Sequence, residues 1–200
     1  MNRKPKTVAF WTGRLPHWEV EDGRYFITLH LAGAIPQAGK NEIRNIAEQF
    51  RRVATKESPD WLQLQRRIFS QMEEWLNRAK NNVWLNEPSV AQMVVESIEH
   101  RQQRGDWNML SYVIMPNHIH LFCELAPGEM KRVIADFKRW TGHEATKLIT
   151  DTPKRFWQRE WFDHWSRSDE EDDRIVTYIE RNPVVAGLVP DYKDWPFGSW

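Results

Sequence analysis

Cysteine is almost absent from this chain of 200 residues, and neither sign of charge is in excess. The single cysteine, Cys123, excludes an internal disulfide and any zinc site built from several cysteines. Lys plus Arg and Asp plus Glu number 28 each, which excludes a histone-like polycation but not a local basic groove. No apolar run approaches the ~20 residues of a membrane helix, and the basic N-terminus lacks the apolar stretch of a secretory signal. We therefore expect a cytoplasmic protein with no membrane partner.

Periodicity and turn residues predict the elements of the first half of the chain. Residues 1–23 contain prolines and glycines and predict irregular structure. Residues 25–31 are rich in β-formers and predict a strand, whereas apolar positions three and four apart predict two helices within residues 40–87. A third helix is expected after Pro88, with Gly105 as its C-terminal cap.

In the second half the apolar period changes to two. Residues 107–115 and 118–125 predict two strands, and a long helix follows at roughly 129–149. Ser168 and Glu171 form a capping box that begins a last helix, which we expect Pro183 to end. The order predicts one α+β domain over residues 1–200, with an antiparallel sheet covered by helices on one face and a helical insertion at 40–87.

The strand at 118–125 places two histidines on one face. His118 and His120 alternate with Ile119 and Leu121, so the apolar residues share the core face and the histidines share the other. Residues two apart on a strand are ~7 Å apart at Cα, so two imidazoles can bind one ion. The alternative is a pair of polar residues on a solvated sheet face.

Tyr178 and Asn182 lie one turn apart on the predicted last helix. Ile175 and Ile179 fall on the same apolar side, which should bring both polar residues against the protein. A neutral tyrosine is a poor nucleophile at pH 7, but it becomes useful beside a metal that polarises a phosphodiester. The alternative is a core tyrosine and an asparagine that caps the helix before Pro183.

Several motifs, in order along the chain, carry a family resemblance. The run Met115-Pro116-Asn117-His118-Ile119-His120 matches a His–bulky apolar–His (HUH) motif, and it is followed by Trp157-Gln158, Phe162-Asp163-His164, Tyr178-Ile179-x-x-Asn182-Pro183 and Trp195-Pro196-Phe197-x-Ser199. This set resembles the REP-associated tyrosine transposases, relatives of the transposases of small single-strand insertion sequences.

The resemblance implies a fold, a reaction and a set of site residues. It implies a ferredoxin-like core, a divalent metal (Mg²⁺ or Mn²⁺) and a catalytic tyrosine on a helix across the open sheet face. Carried over by motif, His118, His120 and Asn182 are metal ligands and Tyr178 is the nucleophile. The implied reaction cleaves and rejoins single-stranded DNA at hairpin (REP-like palindromic) elements through a 5′-phosphotyrosine.

The charge distribution fits this function. Residues 130–160 carry eight Lys and Arg against four Asp and Glu, and we expect DNA contacts from six of them: Lys131, Arg132, Lys138, Arg139, Arg155 and Arg159. Trp157, Trp161 and Trp165 can either stack on unpaired bases or pack in the core. The active unit is expected to be a monomer or a homodimer. Rival functions are a hairpin-binding protein without catalysis and a metallohydrolase of small molecules.

Overall fold

The computed structural model describes residues 3–13, 15–53, 59–79, 82–150 and 154–200. Its strands are β1 (Thr7–Thr12), β2 (Pro16–Val20), β3 (Arg24–His30), β4 (Asn108–Ile114), β5 (His118–Glu124) and β6 (Phe162–Trp165). Its α-helices are α1 (Gln37–Val53), α2 (Pro59–Arg78), α3 (Pro88–Arg104), α4 (Met130–Leu148) and α5 (Asp169–Val185), with 3₁₀ turns at Trp84–Asn86 and Tyr192–Asp194. Within these ranges no helix has the length and apolar character that crossing a membrane requires.

Four strands form one antiparallel sheet in the order β4-β5-β3-β6. Together with α3 and α4 they follow the chain as β3-α3-β4-β5-α4-β6, which is the ferredoxin-like arrangement. Helices α3 and α4 pack against each other. The α+β class expected from the sequence is confirmed.

The face of the sheet that carries the histidines is covered as well. Directly opposite residues of β3 and β5 place His118 beside His30 and His120 beside Thr28. The rings of Phe69 on α2 and Tyr178 on α5 lie 6.3 and 5.3 Å from that of His120, centroid to centroid. Helix α5 therefore lies on this face, as expected, and α2 lies there beside it.

Helices α1 and α2 occupy the region expected to be an insertion between β3 and α3, and they pack against each other. Ile68, Met72 and Leu76 of α2 are each at most 2% exposed, so α2 is part of the core. Ala54, one of the apolar positions that predict the first helix of this region, lies outside the described residues. The insertion is thus tied to the sheet by buried side chains rather than by its ends alone.

Residues 7–12 and 16–20 form strands, so the expectation of irregular structure over residues 1–23 is wrong for these two segments. Strands β1 and β2 form an antiparallel hairpin, and β2 packs against β6 at the edge of the main sheet. The six residues of β1 are mostly β-branched or aromatic, and Pro16 is the first residue of β2, where proline is tolerated. The proline and the glycines therefore mark the ends of strands, not an unstructured segment.

A buried ion pair joins this hairpin to β6. His17 on β2 contacts the Asp163 carboxylate, and its ring contacts those of Trp11 and Trp161, at centroid distances of 5.0 and 4.5 Å. Burial lowers the pKa of His17, but the bonds to Asp163 and Glu160 raise it more, to about 9. The charged pair thus fixes the hairpin against the sheet.

Helix α5 begins as expected but does not end at Pro183. The Ser168 hydroxyl accepts a hydrogen bond from the Glu171 amide, which is the predicted N-cap. The helix continues through Pro183 to Val185, and the Ala186 amide still donates to the Asn182 carbonyl. Proline removes one amide donor near the C-terminal end, which this last turn tolerates.

The C-terminal segment extends the sheet beyond β4. The Ile114 amide donates to the Phe197 carbonyl (2.8 Å), and the Ser199 amide donates to the Tyr112 carbonyl (3.1 Å). The Trp195 indole also donates to the Ile114 carbonyl (2.9 Å). The outer edge of β4 is therefore occupied by residues that follow α5.

Candidate active site

Two buried histidines present their Nε2 atoms to the same space. The Nδ1 atom of His120 lies 2.9 Å from the Thr28 hydroxyl, and that of His118 lies 2.6 Å from the Asn117 amide oxygen. Among the described residues neither Nε2 atom has a hydrogen-bond partner, although both are buried, and that of His120 lies 3.5 Å from Glu73 Oε2. Burial and the neighbouring His120 lower the pKa of His118 to about 3. The Asn117 oxygen can only accept a hydrogen bond, so Nδ1 of His118 carries the proton and Nε2 keeps a lone pair for a ligand. Thr28 does the same for His120 when its hydroxyl accepts from Nδ1.

Glu73 of α2 is the third member of the cluster. One ligand atom from each of Glu73, His118 and His120 lies within 4.8 Å of the others, and these residues form the one such cluster in the described part of the chain. In the described part of the chain, Oε1 of Glu73 is buried without a hydrogen-bond partner. Burial raises the pKa of Glu73, but His120, His118 and the Tyr178 hydroxyl lower it more, to about 2.

These three residues fit a divalent cation. Two imidazole nitrogens and one carboxylate oxygen are ligand types used for first-row divalent metals. Unpaired buried polar atoms cost free energy, and an ion bound at this point would satisfy the partnerless Nε2 atoms of both histidines and contact a carboxylate oxygen of Glu73. The predicted pair of histidines is therefore brought together with a carboxylate from another element.

Tyr178 lies beside this cluster. Its hydroxyl donates a hydrogen bond to Glu73 Oε2, the carboxylate oxygen other than the partnerless Oε1. Burial raises the pKa of Tyr178 well above its ordinary value, and the charge and hydrogen bond of Glu73 raise it further. The hydroxyl is therefore neutral, and it donates its proton in a hydrogen bond to the Glu73 carboxylate.

Asn182 lies one helical turn beyond Tyr178 and is 6% exposed. A hydrogen bond from its side chain opposes the rise in the pKa of Tyr178. Asn182, Tyr178 and Glu73 line one cleft of about 610 Å³, to which Arg174 and Arg181 also contribute. The structure thus places Asn182 at the site, and its role as a metal ligand stays a prediction.

The six expected DNA-binding residues separate into two groups. Lys138, Arg139, Arg155 and Arg159 line one groove of about 410 Å³ between α4 and the segment before β6, and Lys154 joins them there. The other two, Lys131 and Arg132, lie in the first turn of α4 outside this groove, and Arg132 pairs with Glu129.

The three tryptophans near the end of the chain are core residues. Trp157, Trp161 and Trp165 are 3%, 9% and 8% exposed. The Trp157 indole donates to the Thr141 hydroxyl at 2.8 Å. Of the two alternatives for these tryptophans, packing in the core is confirmed. Stacking on unpaired bases therefore needs a different aromatic residue.

Glu73 is the site residue that the sequence reasoning missed. Gln65, Phe69 and Glu73 are spaced by four on α2 and so form one row along the helix. Gln65 and Glu73 are only 5% and 8% exposed. A carboxylate in line with an aromatic residue, on the side of a helix next to its apolar positions, was the available signal.

Comparison with known proteins agrees with these motifs. The family model described as "Transposase IS200 like" matches residues 75–182. A Haemophilus influenzae protein named as a REP-associated tyrosine transposase is 31% identical over 97 residues, which are 44% of this chain and 55% of that protein. The REP-associated tyrosine transposase of Escherichia coli is 30% identical over 112 residues, 54% of this chain and 64% of that protein. The matches thus span less than two thirds of either relative.

A solved structure shares the fold. The structure of a REP-associated tyrosine transposase bound to a REP hairpin aligns with a TM-score of 0.60 at 18% identity, covering 94% of this chain and 83% of that one. The resemblance to REP-associated tyrosine transposases predicted from the motifs is confirmed. Because the family model spans more than half of its residues, this chain belongs to the family of IS200-like transposases.

Proposed function

We propose that this chain is a metal-dependent transposase and nickase of single-stranded DNA that cleaves and rejoins strands at hairpin (REP-like palindromic) elements. The observation that carries the proposal is the Tyr178 hydroxyl bonded to a carboxylate of a buried Glu-His-His cluster with partnerless ligand atoms. The hairpin is proposed as substrate because a solved protein of the same fold is bound to a REP hairpin.

Glu73, His118 and His120 would hold the metal, with Asn182 as a further oxygen ligand from the helix of the nucleophile. A divalent ion at this position supplies stabilisation of the negative charge that develops on the phosphodiester. Mg²⁺ and Mn²⁺ are both compatible with the carboxylate, and the two imidazoles favour Mn²⁺ over Mg²⁺. Thr28 and Asn117 fix the two rings from behind.

Tyr178 would act as the nucleophile on the scissile phosphate. Its phenolic oxygen forms a bond to phosphorus, the bond from phosphorus to the 3′ oxygen breaks, and a 5′-phosphotyrosine and a 3′-hydroxyl result. Oε2 of Glu73 already accepts the tyrosine hydrogen bond and is placed to take the proton, and water would supply a proton to the departing 3′ oxygen. Attack by a 3′-hydroxyl on the phosphotyrosine reverses these steps and rejoins the DNA.

Two basic surfaces are suited to DNA phosphates. The groove lined by Lys138, Arg139, Arg155 and Arg159 would hold the hairpin, with Lys131 and Arg132 contributing at most from its periphery. The cleft beside Tyr178 carries Arg174 and Arg181, exposed residues one heptad apart on α5, which would hold the single strand. Residues 1–200 would act as one domain in which the insertion supplies Glu73.

The test is covalent capture of the labelled DNA. The full chain is incubated with a hairpin that carries a single-stranded flank, with Mn²⁺ or with EDTA, and analysed on a denaturing gel. We expect a metal-dependent adduct that Tyr178→Phe abolishes and the matched change Tyr192→Phe leaves intact. Binding of the hairpin without an adduct would contradict the proposal and favour the rival function, a hairpin-binding protein without catalysis.

A further inference from the structure

A second cavity, of about 430 Å³, lies on the other side of Tyr178 from the cleft that contains Glu73. Both cavities are lined by Phe69, Arg174 and Tyr178, so they are adjacent and the tyrosine stands between them. The cavity is built by α2, β3, β6 and α5, and the mechanism proposed above uses none of its other residues. We call it the aromatic pocket.

Three phenylalanines form one wall of the aromatic pocket. The ring of Phe69 lies 5.1 Å from that of Phe162 and 5.3 Å from that of Phe26, between centroids. Phe26 and Phe162 are 5% and 6% exposed, whereas Phe69 is half-buried. Phe69 therefore offers part of a ring face to a ligand, and its two neighbours hold it in place.

Polar side chains adjoin these rings, Gln65 on α2 and His164 on β6, and hydrogen bonds fix their orientation. The ring nitrogens of His164 lie 3.2 Å from the Gln65 amide oxygen and 3.0 Å from a Glu171 carboxylate oxygen. The Gln65 amide nitrogen donates to the Asp163 carbonyl at 3.4 Å. The Asp163-His164 motif on β6 thus has a place in the fold, because His164 lines the pocket and the Asp163 carboxylate contacts His17 of the β1–β2 hairpin.

Two arginines at the pocket supply positive charge. Arg66 and Arg174 are exposed and line the pocket. A hydrogen bond from Ser168 lowers the pKa of the Glu170 carboxylate, and the nearby charge of Arg174 lowers it further. An exposed guanidinium is available for bidentate contacts to a phosphate. Phe69 and the two arginines therefore combine a ring face with phosphate-binding groups directly beside the nucleophile.

We propose that the aromatic pocket takes one unpaired nucleobase next to the scissile phosphate. The base stacks on Phe69, its edge meets the Gln65–His164 pair, and Arg66 and Arg174 bind the adjoining phosphates. The volume falls within the range of small-molecule sites and admits one nucleotide unit. This inference rests on the proposed function, since it places the scissile phosphate at Tyr178.

Binding in EDTA tests the pocket apart from cleavage. The probe is a fluorescent hairpin with a single-stranded flank, compared with the same hairpin without a flank. We expect Phe69→Leu to weaken binding of the flanked probe about tenfold, the usual loss when one base loses its stacking partner, and to leave the unflanked probe unchanged. Arg66→Ala should weaken flanked binding more than Arg67→Ala, its exposed neighbour on α2 that does not line the pocket.

An abasic scan of the flank identifies the base. One abasic position should cost the wild type about tenfold in affinity and cost Phe69→Leu nothing further, because both changes remove the same contact. Equal losses in the two proteins at every position, or equal effects of Arg66→Ala and Arg67→Ala, would overturn the pocket. Covalent capture of the DNA separates the two proposals. If an adduct forms but the losses from the abasic position and from Phe69→Leu add, only the proposed pocket is refuted. If those losses do not add but no adduct forms, only the proposed cleavage is refuted.

Discussion

The change Glu73→Gln tests whether the inserted helix contributes to a metal site. Gln keeps the size of the side chain and removes its charge, so the cluster loses one of its three ligands. Substituting a residue that only contacts a metal ligand already weakens metal binding about 10–100-fold. For the loss of a direct ligand we therefore expect metal binding to weaken about 100-fold. At a metal concentration of 100 times the wild-type Kd, metal stabilises the fold by ~2.7 kcal/mol, and for the variant this falls to ~0.4 kcal/mol.

The measurement is the melting temperature with and without Mn²⁺. For a chain of this size 1 kcal/mol corresponds to about 2–4 °C, so the metal-dependent rise should fall from about 5–11 °C to about 1–2 °C. Glu74→Gln is the matched control, because Glu74 is the next residue on α2, is exposed, and pairs with Arg78 at 2.6 Å. A full metal-dependent rise in Glu73→Gln would refute the three-ligand site, whatever the variant does to stability without metal.

Three further predictions follow from other contacts. Thr28→Val removes the hydroxyl behind His120, and we expect a 10–100-fold weaker metal affinity in a Mn²⁺ titration followed by melting temperature. Asn182→Ala should raise the Mn²⁺ needed for half-maximal adduct formation and Asn182→Asp should not, whereas a lower melting temperature with an unshifted titration would leave Asn182 as a structural residue. Because the folded pKa of His17 exceeds the ordinary 6.5, its stabilisation is complete below pH 6.5 and is lost as the pH rises through about 9. The difference in unfolding free energy between wild type and His17→Gln should therefore shrink by about 3 kcal/mol over that range, and a constant difference would contradict the ion pair with Asp163.

The parts of the site that sequence could predict are those set by local spacing. Alternation along one strand puts His118 and His120 on the same face, and a four-residue spacing puts Tyr178 and Asn182 on the same side of α5. The capping box at Ser168 is equally local. Each of these predictions needs only the geometry of a single helix or strand, so the amino-acid sequence was enough to make it.

The parts that were missed depend on partners distant in sequence. Glu73 and Glu74 are adjacent on α2, and only the packing of that helix against the sheet decides that Glu73 is buried and Glu74 is exposed. The four residues of β6 are too few for a periodic signal, and they pair with β3, more than 130 residues earlier. The prolines and glycines of residues 1–23 are typical of irregular structure, and only the pairing of β1 with β2 shows that they lie at strand ends.

The C-terminal segment beyond α5 makes the nucleophile helix and the sheet one mechanical unit. At its start α5 is held by Asp172, which pairs with Arg3 and Arg24, and after its end Trp195 and Phe197 bond to Ile114 of β4. Helix α5, which carries Tyr178, is therefore held to the sheet at both ends. Under the proposed function, the DNA rather than the tyrosine would have to move when strands are exchanged. Loss of residues 195–200 would remove the contacts that follow the end of α5. It would also expose the backbone edge of β4 to pairing with other strands.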